Sequence, residues 1–325
     1  MAVVDIITGG AGFIGVNLAA RLAARGRATV LLDNLSGGRA EFVDALGLGD
    51  QVRLMVLDMA EPGAVTAAFD AIAVEHQIGA VWHLCANSDI SAGVADADID
   101  LRNTFLPTHT LLAAMRAHGL TTLHFASTSA VYGDHGDVAI REETPTHPIS
   151  NYGAMKLASE AAISAGAESF LDRASILRFP NVIGTPATHG VIFDFIRKLK
   201  ATPERLEVLG DGHQQKPYLH VAELIDAILH VADNAGDGLT VVNIGPPDDG
   251  ASVRFIAETV RDHVSPGAAI VYGAENRGWV GDVPKFHYAM DRLTGMGFSG
   301  VAGSRAAVLR AVPEIAAQIE PGSQD

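Results

Sequence analysis

The chain has 325 residues, of which 48% are hydrophobic and 19% are charged, a composition typical of a globular protein. Its formal net charge of −15 argues against nucleic acid or an anionic membrane surface as its partner. The sequence contains no apolar run of the roughly 18 residues that a transmembrane helix needs. The single cysteine, Cys85, excludes an intramolecular disulfide framework and favours a reducing, cytoplasmic setting.

The first half of the chain alternates short apolar runs with longer helical patterns, which is typical of βαβ units and a parallel sheet. Residues 1–8 lack the basic segment that begins a signal peptide, so they are predicted to form the first strand. The predicted strands are residues 3–8, 28–33, 52–57, 80–85, 122–127 and 175–179. The predicted helices are residues 13–25, 64–75, 99–118 and 152–169, with Ser150 as the N-cap of the last.

The pattern changes after about residue 179, where Gly and Pro become frequent. Further helices are predicted at residues 192–200, 221–231, 253–264 and 304–311, with one more strand at 241–245. The fold class is therefore α/β: a Rossmann-type doubly wound parallel sheet with a smaller, partly interleaved C-terminal lobe. The predicted domains are 1–178 plus about 220–246, and about 179–219 plus 247–325.

A glycine cluster, Thr8-Gly9-Gly10-Ala11-Gly12-Phe13-Ile14-Gly15, follows the first strand and opens a helix. Gly9 would permit a tight turn, Gly12 the approach of a pyrophosphate, and Gly15 close packing of the helix, whose N-terminus favours an anion. Asp33 closes the second strand, where a carboxylate would bind ribose hydroxyls and repel a 2′-phosphate. This pattern favours NAD over NADP, although a purely structural turn is the alternative.

A second pattern is Tyr152-Gly153-Ala154-Met155-Lys156, which places a phenol and an ammonium on one helical face. A tyrosine with a pKa near 10 is a poor base at neutral pH, but a nearby cation favours the phenolate. The phenolate could then take a proton from a hydroxyl group as hydride leaves the same carbon. A solvated surface pair is the alternative for this common spacing.

Hydroxyl groups end the predicted strand at residues 122–127, in the run Ser127-Thr128-Ser129-Ala130-Val131-Tyr132-Gly133. The carboxyl edge of a parallel sheet faces the ligand crevice, so one of these hydroxyls could bond the reacting oxygen. Ordinary turn or helix-cap chemistry is the alternative. Asp58 ends the third strand and could either reach the adenine or cap the next helix.

The glycine cluster, the hydroxyl run and the pattern of Tyr152 and Lys156 follow one another in this order along the chain. In this order and at these distances, they resemble the extended short-chain dehydrogenase/reductase superfamily, specifically its nucleotide-sugar epimerase/dehydratase branch. The resemblance covers nearly the whole chain. The matching segments are residues 8–15, 33–36, 83–86, 103, 127–133, 152–156, 178–184, 210–212 and 281–283.

The resemblance implies that Tyr152 is the base, that Lys156 holds the ribose and lowers the tyrosine pKa, and that Thr128 is the catalytic hydroxyl. It implies NAD as the cofactor and no metal. The implied cofactor contacts are Gly9, Gly12, Phe13, Ile14, Gly15, Asp33, Asn34, Ser36, Gly37, Asp58, Met59, Leu84, Cys85, Ala86, Asn103, Ser127, Tyr152, Lys156, Phe179 and Val182. The implied substrate contacts are Ser88, Thr128, Asn181, His189, Gly190, Val191, Val208, Lys216, Tyr218, Arg277 and Phe286.

Ser129 and Ala130 stand where the branch's dehydratases carry an Asp-Glu pair. Their identity favours the simplest reaction of the branch, C4 epimerisation through a 4-keto sugar with NAD tightly bound. The expected substrate is UDP-glucose/UDP-galactose or the uronate. The alternatives are a dehydratase or decarboxylase of the same branch, a ketone reductase with exchanging cofactor, and a non-catalytic NAD-binding regulatory protein.

Three further expectations concern the partners of the chain. Lys216-Pro217 replaces the Arg-Asp of many relatives, which leaves the nucleotide open because lysine lacks arginine's bidentate geometry. A ring at Phe286 predicts a plain hexose in preference to an N-acetylated one. The resemblance also implies a homodimer, formed by packing helices 99–118 and 152–169 of two subunits.

Overall fold

The structure is a computed structural model that describes residues 1–87, 89–136, 138–274 and 287–319. The strands are β1 Val3–Thr8, β2 Ala28–Asp33, β3 Val52–Val56, β4 Gln77–His83, β5 Thr122–Thr128, β6 Arg173–Phe179, β7 Asn181–Ile183, β8 Arg205–Val208, β9 Gln215–Lys216, β10 Tyr218–His220, β11 Gly238–Asn243, β12 Ala251–Ser252 and β13 Ala269–Tyr272. The helices are α1 Phe13–Ala24, α2 Ala40–Asp44, α3 Pro62–Glu75, α4 Ile90–Ala95, α5 Ala97–Asp100, α6 Leu106–Ala117, α7 Asn151–Ala167, α8 Val191–Ala201, α9 Val221–Asn234, α10 Val253–Val264, α11 Asp291–Gly295 and α12 Ser304–Gln318.

A seven-stranded sheet in the order β11-β6-β5-β4-β1-β2-β3 confirms the predicted doubly wound α/β class. The chain builds β1, β2 and β3 in one direction and then returns to add β4, β5 and β6 on the other side, each parallel to its neighbour. The topological switch point therefore lies between β1 and β4, where ligands of open α/β sheets bind beyond the carboxyl ends.

The chain divides into two compact units. The first comprises residues 1–133, 145–179 and 228–242, and the second comprises 134–144, 180–227 and 243–325. Residues 134–144 fall in the second unit, although the sequence placed them in the first domain. The reason is backbone pairing, because the Ile140 N–H donates to His287 O at 2.8 Å and the Ala289 N–H donates to Ile140 O at 2.9 Å.

The first unit forms its core from β-branched and aliphatic side chains of the central strands and from the helices that cover the sheet, with Val30, Val81, Leu111, Leu123 and Ile163 as members. Both faces of the central strands are covered, which explains why their sequences are largely apolar, with a few buried polar side chains such as Asp5 and His124. The second unit has its own core, built from α8, α10, α12 and the short β8. No helix in the described part of the chain is long and apolar enough to cross a membrane.

The predicted helix 99–118 is the main local difference from the sequence expectation. It is divided into α5, a π-helical turn over Leu101–Phe105, and α6. The Leu106 N–H reaches back to Leu101 O, and Pro107 has no N–H to donate to Asn103 O. A continuous α-helical ladder is therefore impossible at this point.

Candidate active site

The glycine loop between β1 and α1 has no room for side chains at three of its glycines, because neighbouring atoms lie too close. Gly9 has φ +66°, and a Cβ on it would lie 2.9 Å from the backbone of Cys85. A Cβ on Gly15 would lie 2.5 Å from Gly9 O, so Gly15 lets α1 close onto the loop itself. Gly10 was not singled out from the sequence, yet a Cβ there would lie 2.6 Å from the side chain of Leu31.

The amino end of α1 is suited to an anion. Gly12 is the N-cap residue and has no side chain with which to accept hydrogen bonds from the first turn. The N–H groups of Phe13, Ile14 and Gly15 have no acceptor within the helix, because the first turn of any helix lacks one. These open donors fit the pyrophosphate of a dinucleotide.

Asp33 lies at the carboxyl end of β2, beside the glycine loop. Its Oδ2 accepts from the Ala11 N–H at 3.0 Å and its Oδ1 accepts from the Leu35 N–H at 2.8 Å. Burial raises the pKa of Asp33, and these two hydrogen bonds oppose the rise. Each carboxylate oxygen retains acceptor capacity that fits a ribose hydroxyl, so the residues present fit NAD.

The other residues expected after β2 and β3 are held in different ways. Asn34 Oδ1 accepts from the backbone and hydroxyl of Ser36, which shapes the turn before Gly37. Asp58 Oδ1 accepts from the Ala60 N–H at 2.9 Å in the turn before α3, and its Oδ2 accepts from Arg102 Nη2 at 2.9 Å. Asp58 is therefore not the cap of the next helix, whose N-cap residue is Glu61. The side chain of Met59 is buried in the core of the first unit, which leaves only its backbone for a cofactor contact.

The segment after β4 lies against the glycine loop. The Leu84 N–H donates to Thr8 O at 3.1 Å, and Cys85 and Ala86 follow it, partly exposed. Burial and the negative charge of Asp33 raise the pKa of the Cys85 thiol to about 12. The thiol is therefore protonated at neutral pH, which fits a packing role beside the glycine loop and no role as a nucleophile.

Thr128, Tyr152 and Lys156 come together in the first unit. Ser150 is the N-cap of α7, as predicted, since its hydroxyl accepts from the Gly153 N–H at 3.1 Å. The Thr128 hydroxyl at the end of β5 bonds the phenol oxygen of Tyr152. Lys156 lies one turn further, almost fully buried, and its Nζ donates to Ala126 O at 2.7 Å.

The electrostatics of this group differ from the sequence expectation. Burial raises the pKa of Tyr152 to about 12; the Thr128 hydrogen bond opposes this, and the Asp100 carboxylate adds to it. Lys156 Nζ lies 6.0 Å from the centre of the Tyr152 ring, and burial lowers the pKa of Lys156 to about 8. Without additional positive charge, the protein alone holds Tyr152 as a neutral phenol.

Glu160 is a residue that the sequence reasoning missed, although it continues the face of Tyr152 and Lys156 by one more turn. Its carboxylate forms a buried bidentate pair with Arg178, with distances of 2.9 and 2.6 Å. Ser127, expected at the cofactor, donates its hydroxyl proton to Glu160 Oε1. Arg178 also donates to the Tyr132 hydroxyl at 2.8 Å. Glu160 of α7 is therefore linked to both ends of the segment 127–132, which contains Thr128: directly to Ser127, and through Arg178 to Tyr132.

Asn103 lies within the π-helical turn, which packs against α7. The turn and Pro107 together remove the regular backbone bonding around Asn103, as is common where a helix contributes to a functional site. The Asn–Pro spacing of four residues could have signalled this break. Phe179, at the end of β6, is buried.

Asp100 precedes this turn and is completely buried. Its Oδ1 accepts from Asn87 Nδ2 at 2.8 Å, and its Oδ2 has no partner among the described residues. Burial raises the pKa of this carboxyl group. Gly93 leaves the room that Asp100 Oδ2 occupies, so the two positions depend on each other.

The expected substrate residues of the second unit lie on its short strands and at the beginning of α8. Asn181 begins β7 and is register-paired with Tyr218 of β10, while Val182 is paired with Leu219. Lys216 is paired with Ala251 across the β9–β12 ladder. The other expected residues of this unit are His189, which bonds Thr188 at 2.9 Å, Gly190, the N-cap of α8 with φ +104°, Val191, the first residue of α8, and Val208, which is buried at the end of β8.

Three expected substrate residues, Ser88, Arg277 and Phe286, lie outside the described residues. The same holds for the matching segment 281–283. The predictions made for them stay predictions.

Comparison with known proteins identifies the family of the chain. Residues 6–245 match the model of the NAD dependent epimerase/dehydratase family. The chain is 32% identical over 309 residues to a UDP-glucose 4-epimerase of Azospirillum brasilense, which covers 89% of this chain and 84% of that one. A crystal structure of a UDP-galactose 4-epimerase is 31% identical, with a TM-score of 0.84 and coverage of 98% and 100%. The NAD complex of a Thermus thermophilus UDP-glucose 4-epimerase is 26% identical, with a TM-score of 0.83 and coverage of 97% and 99%.

Proposed function

The chain belongs to the NAD dependent epimerase/dehydratase family, and on this premise we propose how its residues epimerise a nucleotide sugar at C4. Its cofactor is NAD. The observation that carries the proposal is the group of Thr128, Tyr152 and Lys156 at the carboxyl edge of the sheet that also bears the glycine loop. By similarity to the UDP-glucose 4-epimerases, we propose UDP-glucose/UDP-galactose or the corresponding uronate as substrate.

NAD, when bound, supplies a reversible hydride acceptor for C4 of the sugar. Tyr152 takes the proton of the C4 hydroxyl as that carbon is oxidised, and returns it after the 4-keto sugar has turned over. Thr128 donates to the tyrosine oxygen and so favours the phenolate. Lys156 is oriented by Ala126 O and holds the cofactor ribose.

The pKa of about 12 for Tyr152 has a mechanistic consequence. The residues of the protein alone favour the neutral phenol at neutral pH, so the phenolate would need a further positive charge beside the ring, which an oxidised nicotinamide would supply when bound. Base strength is then coupled to the presence of the oxidised cofactor. A tyrosine controlled in this way would not act as a base in the empty site.

The residues beside Thr128 favour epimerisation over elimination. Ser129 and Ala130 form a short helical turn, and the Ala130 N–H donates to Thr128 Oγ1 at 3.2 Å. Neither residue carries a carboxyl group, whereas loss of water from the sugar requires an additional acid and base. This turn therefore orients Thr128 and adds no acid–base group to it.

The test is proton NMR of the purified protein with UDP-, dTDP-, GDP- and CDP-sugars in D2O. A 4-epimerase inverts C4 without solvent deuterium entering the sugar, because the same hydride returns. Deuterium at C3 or C5 would indicate a dehydratase or a 3,5-epimerase. Loss of a carbon would indicate a decarboxylase, and either result would reject the proposal.

The role of Tyr152 has its own test. Tyr152→Phe keeps the ring and removes the base, so turnover should fall by about 10²–10⁴-fold. Bound NAD should be retained, because the cradle formed by the glycine loop and Asp33 is unchanged. Activity close to that of the wild type would assign the base to another residue.

We further propose a cytoplasmic homodimer formed through α6 and α7. Exposed alanines on both helices, Ala113 on α6 and Ala161 and Ala165 on α7, would allow two copies to approach closely. Light scattering of the purified protein at micromolar concentration is the measurement. A monomeric mass would contradict the proposal.

A further inference from the structure

A chain of buried polar side chains crosses the topological switch point; we call Thr8, His83, Thr108 and Ser159 the switch-point network. Thr8 Oγ1 lies 2.6 Å from His83 Nδ1, and His83 Nε2 lies 2.9 Å from Thr108 Oγ1. Thr108 Oγ1 is 2.9 Å from Ser159 Oγ. All four residues are fully buried. The network therefore joins β1, β4, α6 and α7 through hydrogen bonds that are shielded from solvent.

The direction of each bond follows from counting protons, beginning at α7. Ser159 donates its only hydroxyl proton to Met155 O at 3.0 Å, so its oxygen accepts from Thr108. Thr108 could otherwise donate to Thr104 O at 3.3 Å or to His83 Nε2. Donation to Nε2 would place the ring proton on Nδ1 and leave the Thr8 hydroxyl proton without an acceptor among the described residues, so we assign the ring proton to Nε2, which donates to Thr108.

The other half of the network follows from this assignment. With the proton on Nε2, His83 Nδ1 is an acceptor, and the Thr8 hydroxyl donates to it. The Thr8 oxygen in turn accepts from the Cys85 N–H at 3.4 Å. One neutral tautomer of His83 thus satisfies every polar atom of the network.

A protonated His83 would break this arrangement. Both ring nitrogens would then donate, and the Thr8 proton would lose its acceptor. Burial, together with the positive charge of Lys156, lowers the pKa of His83 to about 3. The imidazole is therefore neutral throughout the physiological range, and proton transfer is not its task.

The two ends of the network lie next to the groups that must meet during catalysis. Thr8 directly precedes Gly9 of the glycine loop, and Met155 directly precedes Lys156. The loop cradles the cofactor, whereas α7 carries the base and the lysine. A displacement of about 1 Å between such groups can reduce turnover by about 10²-fold.

We propose that His83, as its Nε2–H tautomer, is a positioning residue that keeps the cofactor loop in register with the catalytic helix α7. This inference rests on the proposed roles of Tyr152 and Lys156. It assigns to His83 no contact with the substrate and no proton transfer. Its ring fixes the distance between Thr8 and Thr108, because Nδ1 accepts from the first hydroxyl and Nε2 donates to the second. Thr108 in turn is bonded to Ser159.

Nitrogen-15 NMR of the NAD-bound enzyme, labelled at its histidines, tests the tautomer without using activity. The chain has 13 histidines, so the His83 signals are identified by their loss in His83→Gln. If that variant does not fold, couplings between the ring nitrogens and neighbouring carbons identify them in the wild type. A protonated Nε2 and a bare Nδ1 at neutral pH are expected. A proton on Nδ1, or on both nitrogens, would overturn the proposal.

The positioning role is tested by a double-mutant cycle. Thr8→Val and Thr108→Val each interrupt the network with little change of volume, and each should lower kcat about 10-fold or more while KM for the nucleotide sugar changes little. Because both interrupt one chain, the double variant should lose little more than either single variant. Thr108→Ser restores the hydroxyl and should recover kcat.

Thr29→Val is the matched control, since the buried hydroxyl of Thr29 in β2 has no partner in the described part of the chain. Its kcat should equal that of the wild type. If the fold-decrease in kcat of the double variant were the product of the two single decreases, the positioning role would be overturned. It would also be overturned if the single variants lost no more kcat than Thr29→Val. If the wild type lacks epimerase activity while the tautomer is as expected, the proposed function fails and the network assignment stands.

Discussion

Lys156→Met should change how the stability of this protein depends on pH, as well as abolish its epimerase activity. The ammonium of Lys156 is buried in the first unit, with Ala126 O as hydrogen-bond acceptor and the Phe125 ring centre 4.7 Å away. Burial lowers its pKa from the ordinary value of 10.5 to about 8. Met has a similar length and no charge, so the variant removes the titration while it largely keeps the volume.

The sign and size of the effect follow from proton binding. Between the folded and unfolded pKa values of Lys156, the unfolded chain binds more protons than the folded one, so the free energy of unfolding rises with pH. With pKa values of about 8 and 10.5, the wild type should gain about 2 kcal/mol between about pH 7 and about pH 9.5. The variant lacks this gain, and the contributions of other groups cancel in the difference.

The assay is urea denaturation of both proteins, freed of NAD, across this pH range. The unfolding free energy of the wild type minus that of the variant should rise by about 2 kcal/mol between about pH 7 and about pH 9.5. A difference that does not change with pH would refute the reasoning. It would mean that water reaches the ammonium and that its pKa is close to the ordinary value.

Three further predictions concern the same unit. Glu160→Gln removes the negative charge that pairs with the buried Arg178 and should lower the free energy of unfolding by about 3–5 kcal/mol in urea, whereas Glu160→Leu combined with Arg178→Met should recover most of it. Gly15→Ala would place a methyl group 2.5 Å from a backbone oxygen of the glycine loop, so the purified variant should contain no NAD, measured by absorbance after denaturation. Asp100→Asn removes a negative charge that raises the pKa of Tyr152, so the acidic limb of the kcat–pH profile should move to lower pH; an unchanged limb would contradict this.

Local chemistry alone determined much of the fold. Largely apolar runs such as residues 3–8 and 28–33 are strands buried on both faces, and all six strands predicted between residues 3 and 179 lie in the central sheet. Ser150 caps α7 because a hydroxyl next to a helical run has few better partners. Such features depend on near neighbours in the sequence, so the sequence is sufficient for them.

Pairings between distant residues could not be read in the same way. Glu160 and Arg178 each look like ordinary surface charges, and only the packing of α7 on β6 buries them as a pair. His83 likewise matched a segment of the resemblance without a stated role. Its role depends on Thr8, 75 residues earlier, and on Thr108, 25 residues later.

The sequence by itself indicated NAD-dependent hydride transfer, through the glycine loop, Asp33, Tyr152 and Lys156 and through the family that this set resembles. Only the tertiary structure decided the electrostatic state of that machinery. The sequence predicted that Lys156 would favour the phenolate, but burial raises the pKa of Tyr152 and lowers that of Lys156. The physical reason is that desolvation depends on everything packed around a group, which no local pattern of residues records.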